Sequence, residues 1–293
     1  MKILSFPQEN LKKGILYTLI GWFCFACLYA LSKVVDEQTN LSTVLFFRSL
    51  VGLLFASAFV LPKWKQRGRP NSFKGLFFLS SMSVLNIFLV LLSINYISLV
   101  NATLLDNTAA FFVPIIALVC FKTKIEPKAW VAILLGFIGV MFILGPSKGI
   151  IHIGALYGLL AGLTLALYIV AMRLNGEKEE LFTFLFYFYL IAVVSLLPFL
   201  LYRPQIDNCC TLLALIAMGV LSLSGQVALF HGLKFGKVHQ LAPICYSLVV
   251  FSGIFEWILW GQVPKPLAYV GIVCIVAAGV WITQIGRLPK KMD

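Results

Sequence analysis

A shift of 140 residues lays most of this chain over itself without a gap. Gly14, Leu16 and Tyr17 fall on Gly154, Leu156 and Tyr157, and Lys33 closes an apolar run where Arg173 closes its counterpart. Asn86 falls on Gln226, Ala102 on Ala242, and Gly139-Val140 on Gly279-Val280. Such a chain is expected to fold as two copies of one unit, residues 1–147 and 148–293. Each copy carries five apolar stretches, near 14–32, 43–61, 75–97, 101–121 and 129–144, then near 153–172, 181–201, 212–233, 241–261 and 267–285. A stretch of about 20 residues crosses a hydrocarbon core of about 30 Å. With an odd number of crossings per copy, the second copy enters the membrane upside down relative to the first, an arrangement that recurs among secondary transporters.

Composition agrees with a membrane setting. Hydrophobic residues make up 61% of the chain and charged ones 12%, whereas a soluble domain is about a quarter charged. The ten stretches leave no segment long enough for a soluble catalytic or regulatory domain. The expected fold is an all-α integral membrane protein with ten transmembrane helices in two inverted five-helix repeats. The first stretch follows Lys12-Lys13 but is too long for a signal-peptide core, and is expected to be retained.

The net charge of +12 resembles a nucleic-acid footprint until the 23 basic residues are placed. Lys33, Lys148, Arg203 and Lys265 fall in one alternating set of connections, Arg48 lies inside a stretch, and the remaining 18 fall in the other set. That asymmetry is the positive-inside signal and puts both termini in the cytoplasm. It accounts for the basicity through lipid headgroups, with no nucleic-acid partner. A bacterial inner membrane is the expected location. Of the seven cysteines, Cys24 and Cys27 form a C-x-x-C inside an apolar helix with no second ligand pair, a packing pattern rather than a metal site. No metal or cofactor motif is present.

Polar residues within the stretches carry the functional information, because lipid offers them no partner. Asn86 and Gln226 are repeat equivalents near mid-membrane. They either present donors and acceptors to a zwitterion or heterocycle, or bond helix to helix. Arg48, Asp106 and Glu256 are expected at one level, about 8 Å below the outer surface by helical rise. Arg48 would pair with one carboxylate as a brace or outer gate, leaving the other for a substrate cation or a coupling proton. Tyr246, the repeat equivalent of Asp106, is a candidate to stack on a substrate ring. Pro114 and Pro243 are expected to interrupt the fourth and ninth stretches, and Pro198 the seventh.

The run Ala242-Pro243-Ile244-Cys245-Tyr246, with Gly253, Trp257, Trp260-Gly261-Gln262-Val263-Pro264, Gly271 and Gly279-Val280, resembles the EamA branch of the drug/metabolite transporter superfamily. Ala102-Thr103-Leu104-Leu105, Pro114 and Gly139-Val140 repeat the pattern more loosely, so the resemblance spans essentially the whole chain. It implies a ten-helix transporter with a central cavity between inverted halves, working by alternating access. Relatives carry amino acids, nucleosides, S-adenosylmethionine, sugar phosphates or drugs. Three positions depart from the pattern: Lys122 and Gln262 stand where the family has glutamate after a glycine, and Glu256 stands where it has a small residue.

The expected function is therefore secondary transport of a small polar or amphipathic metabolite, of the amino acid, nucleoside or S-adenosylmethionine kind. Asn86, Gln226, Tyr246 and Asp106 are the candidate substrate-binding residues. Arg48, Glu256 and Asp106 are the candidate gate or coupling residues. The expected partners are a small-molecule substrate, membrane lipid and a coupling proton, in a monomer or a homodimer. A non-transporting membrane subunit is the alternative. An intramembrane enzyme is a weaker one, since the chain has no H-E-x-x-H and only His152, His231 and His239.

Overall fold

Long apolar runs bounded by polar or glycine residues become helices throughout. The computed structural model describes residues 11–35, 39–63, 72–121, 127–144, 153–175, 181–202, 208–235, 242–262 and 266–285. The helices are α1 (Leu11–Val34), α2 (Leu41–Val60), α3 (Phe73–Ile94), α4 (Leu99–Asp106), α5 (Ala109–Phe121) and α6 (Pro127–Leu144). They continue with α7 (Ile153–Asn175), α8 (Leu181–Tyr202), α9 (Cys209–Phe235), a 3-10 segment (Ala242–Tyr246), α10 (Ser247–Trp260) and α11 (Pro266–Ile285). Among the described residues, seven segments are long and apolar enough to cross a membrane, one of them joining α4 to α5. Three shorter apolar helices, Trp130–Gly139, Ile244–Trp260 and Tyr269–Trp281, supply the rest of the ten. The boundary between residues 147 and 148, His152, His239 and most basic connections, including Lys65, Arg67, Arg69 and Lys122, lie outside the described residues.

Packing between the first five stretches and the last five is reciprocal. Helix α1 packs on α9 as α7 packs on α3, and α2 meets α9 as α8 meets α3. Helix α1 also meets the 3-10 segment and α10, as α7 meets α4 and α5. The pairs α2 with α8, α6 with α11 and α4 with α10 join equivalent stretches directly. Small residues set these approaches: a Cβ built on Gly21 would fall 2.7 Å from Leu229 and 3.2 Å from the Gly225 carbonyl oxygen. A Cβ on Gly139 would meet Cys274 and the Gly271 carbonyl oxygen, each at 2.9 Å, so α6 and α11 lie backbone to backbone.

The fourth stretch is two helices rather than one, and the break is not at its proline. α5 continues through Pro114, and α8 continues through Pro198. The interruption falls at Asn107 and Thr108, where Thr108, Ala110 and Phe111 donate backbone N–H groups three residues back, at 3.0, 3.2 and 2.8 Å. Side chains compete for the local backbone there: Thr103 Oγ1 donates to the Leu99 carbonyl (2.9 Å), Asn107 Nδ2 to Thr103 (2.9 Å) and Thr108 Oγ1 to Leu105 (2.6 Å). Residues that offer the chain such alternatives are poor helix formers, which makes this run the weak point of an otherwise apolar helix. In the ninth stretch the 3-10 turn gives way to α10 at Tyr246-Ser247, the repeat equivalent of Asp106-Asn107. Both stretches change conformation at the same repeat position. Gly261, at φ 63°, then ends α10 in the left-handed region that glycine alone enters without strain.

Gly162 on α7 holds the break in place. A Cβ there would clash with Thr108 Oγ1 and fall 2.8 and 3.1 Å from the Leu105 and Asp106 carbonyl oxygens. Gly162→Val is expected to cost about 1–3 kcal/mol through overpacking and to lower the unfolding temperature of the purified protein. The control Leu134→Val, at a lipid-facing position that is 62% exposed, should leave it within about 1 °C. An unchanged melt for Gly162→Val would show that α7 does not brace the break.

Candidate functional site

The break ends α4 at Asp106, whose carboxylate is buried and accepts from Asn86 Nδ2 at 2.7 Å. The same Asn86 nitrogen donates to the Ala161 carbonyl at 3.0 Å. Asn86 thus ties α3 to the end of α4 and to α7, and is committed to helix contacts as well as to a carboxylate. Its repeat equivalent Gln226, on α9, is half-buried and faces the Tyr168 hydroxyl. The two repeat-equivalent amides therefore have different partners, one a carboxylate and one a phenol.

Arg48 on α2 is the largest fully buried side chain among the described residues, 2% exposed. Its Nε donates to Ser222 Oγ on α9 at 2.6 Å. Among the described residues no carboxylate lies within 4 Å of it; the ion pair found there is Lys33 with Glu256. The expected pairing of Arg48 with Asp106 or Glu256 is corrected accordingly. The phenols of Tyr29, Tyr168 and Tyr189 lie within electrostatic range of the guanidinium. The Tyr189 ring lies over Gly52, one helical turn along α2 from Arg48, where a Cβ would fall 2.5 Å from it. Its buried hydroxyl is turned towards Ser222 but has no partner within hydrogen-bond geometry. Tyr29 is within electrostatic range of both Arg48 and Asp106.

Glu256 does something else. Its Oε1 accepts from the Leu99 backbone N–H at 2.9 Å and from Lys33 Nζ at 3.2 Å, and its Oε2 accepts from the Val100 N–H at 3.1 Å. An α-helix begins with four N–H groups that have no acceptor of their own. For α4 the first two go to Glu256, the third to Ser98 Oγ at 3.2 Å, and the fourth to the Ser98 carbonyl at 3.0 Å. A carboxylate is well suited to that place, since the start of a helix is its electropositive end. Lys33 Nζ also sits 4.7 Å from the centre of the Trp260 ring. Glu256 therefore clamps the ends of α1 and α10 to the start of α4. It lies at the other end of α4 from Asp106, about 10 Å away by helical rise, so the three ionisable groups do not share one level.

Tyr246 is corrected as well. It packs in a cluster with Val100, Leu104, Leu105, Phe111 and Ile275, its hydroxyl against Gly279 of α11 and without a hydrogen-bond partner. It fills the contact of the ninth and tenth stretches, so its ring is engaged in packing rather than open to stack on a substrate. Sequence reasoning missed Tyr189 and the part played by Lys33. A signal for Tyr189 was present: α2 pairs with its own repeat equivalent α8, so residues beside Phe188, which matches Arg48, are brought towards the arginine.

The family model of the EamA-like transporters matches this chain twice, over residues 12–145 and 152–284. The pseudopaline exporter of Pseudomonas aeruginosa is 27% identical over 283 residues, covering 94% of this chain and 98% of that protein. An S-adenosylmethionine uptake transporter of Rickettsia bellii is 26% identical over 279 residues, covering 90% and 92%. A riboflavin transporter of Vibrio cholerae is 24% identical over 283 residues, covering 93% of each chain. A crystal structure 15% identical in sequence superposes with a TM-score of 0.62 over 96% of this chain and 98% of its own, which shows the shared fold.

Breaking the clamp should be costly. Glu256→Ala removes the acceptor of two helix-start N–H groups and the partner of Lys33, and is expected to destabilise the protein by about 3 kcal/mol. Lys33→Ala leaves the two backbone bonds in place and should cost less. Equal losses in chemical denaturation of the two variants would show that the ion pair, not the helix start, is what Glu256 holds.

Proposed function

The chain belongs to the EamA-like transporter family, and we propose that it is a secondary transporter moving a small polar or amphipathic organic metabolite by alternating access. Its two five-helix units, 1–147 and 148–293, are inverted relative to each other, with both termini in the cytoplasm of a bacterial cell. The reciprocal packing of the two halves supports that arrangement, because each contact between them named above either has its repeat counterpart or joins equivalent stretches. The observation that carries the reading is the pair of buried opposite charges, Asp106 and Arg48, where the halves meet. Each has a single hydrogen-bond partner among the described residues. Structural charges inside a membrane protein are saturated, as Glu256 is; charges left partly open mark a substrate or ion path.

In this reading Asp106, Arg48 and Gln226 face the substrate, Asn86 orients the Asp106 carboxylate, and Asp106 is the group available to a coupling proton. The Glu256–Lys33 clamp closes the outer side. Its inner-side equivalent cannot exist in the same form, because Ile116 stands at the repeat position of Glu256. The two gates therefore open against different resistances. The relatives named for S-adenosylmethionine and pseudopaline support amino acid or S-adenosylmethionine-like cargo.

Proteoliposomes containing the purified protein should accumulate or exchange at least one labelled amino acid, nucleoside or S-adenosylmethionine. Asp106→Asn and Gln226→Ala are each expected to lower the initial rate about tenfold or more. Rates undiminished in both variants would remove the central site.

A further inference from the structure

The donors around Arg48 outnumber the acceptors. A guanidinium offers five N–H groups and accepts nothing, yet among the described residues its one hydrogen bond is Nε to Ser222. The phenols of Tyr29, Tyr168 and Tyr189 each bring a donor as well as an acceptor, so they do not offset the excess, and the Tyr189 hydroxyl is buried with no partner. Glu256 shows how this chain treats a charge that serves structure alone: three donors converge on it. Arg48 is as deeply buried and receives no such treatment.

The missing acceptor is an anion, and the geometry restricts its kind. The planar fork of a guanidinium matches the two oxygens of a carboxylate. No second Lys or Arg among the described residues stands beside it, so a single negative charge fits better than a phosphate. Asp106, within electrostatic range of the same Tyr29, has Asn86 as its hydrogen-bond donor, leaving capacity for a cation. We propose that Arg48 docks a carboxylate of the substrate while Asp106 takes its cationic nitrogen, so that the cargo is a zwitterion of the amino-acid kind. The proposal rests on the reading of this region as the transport site and narrows it, excluding cargo without a carboxylate.

The test is ligand-induced thermal stabilisation of the purified protein. The probes are the protein amino acids and S-adenosylmethionine, their decarboxylated amines, and adenosine. At least one zwitterion should raise the unfolding temperature by about 2 °C or more, and loss of its carboxylate should weaken the apparent affinity about 10- to 100-fold. Arg48→Gln should abolish the response while the ligand-free variant melts no lower than the parent, because a buried unpaired charge has been removed. Arg48→Lys, which keeps the charge but not the fork, should fold and bind about tenfold more weakly. The proposal is overturned if no zwitterion stabilises the protein, if a decarboxylated amine binds as tightly as its parent, or if Arg48→Gln lowers the ligand-free melt. Adenosine transport that needs Asp106 but is indifferent to Arg48→Gln would overturn this proposal and leave the transporter reading standing.

Discussion

A helix that starts or stops inside a membrane protein must find partners for its exposed backbone groups, since lipid supplies none. The break in the fourth stretch meets that requirement at both ends and organises everything around it. At its start, Glu256 takes the first two N–H groups of α4 and fastens them to Lys33. At its stop, Thr103, Asn107 and Thr108 turn back on the carbonyls, while Gly162 allows α7 to press against the exposed backbone. Asp106 is delivered to the middle of the molecule by this construction. Without the break, the same residue would be one more position on a continuous apolar helix.

The two carboxylates within the membrane region illustrate how burial alone fails to identify a functional charge. Glu256 and Asp106 are 2% and 3% exposed. Glu256 has three donors, two of them backbone groups that cannot move without unwinding α4, so it is part of the scaffold. Asp106 has one side-chain donor, and its opposite number Arg48 has one side-chain acceptor. What separates site from scaffold is the completeness of the hydrogen bonding, not the depth.

Much of the architecture was legible in the sequence because it is written in periodic terms. The 140-residue shift pointed to two equivalent sets of helices, and the packing pairs those sets reciprocally. Glycines at the close approaches were legible too, since a missing side chain has one geometric use there. The partners of the charged residues were not. Arg48 finds Ser222 rather than a carboxylate, and Glu256 finds Lys33 and the start of α4, because such contacts depend on how each helix is rotated about its axis. Nearly uniform apolar helices carry no signal for that rotation. The same rotation decides Tyr246: its repeat position made it a candidate to stack on a substrate ring, but the ring turns to Gly279. The break was misplaced at Pro114 because the proline was weighed above the local Asn-Thr backbone chemistry, while lipid-region packing tolerates a proline within α5.

The measurement that bears most directly on the account is solvent access to Ser222, the buried partner of Arg48. Ser222→Cys would be placed in a background with the seven native cysteines replaced and treated with a membrane-impermeant maleimide from each side. A control retaining only the exposed Cys209 reports the labelling of an accessible site. The account predicts that position 222 is modified from either side, in a ratio that shifts when substrate is present. Protection from both sides under all conditions, with the control fully labelled, would contradict it and make the Arg48 region a sealed core.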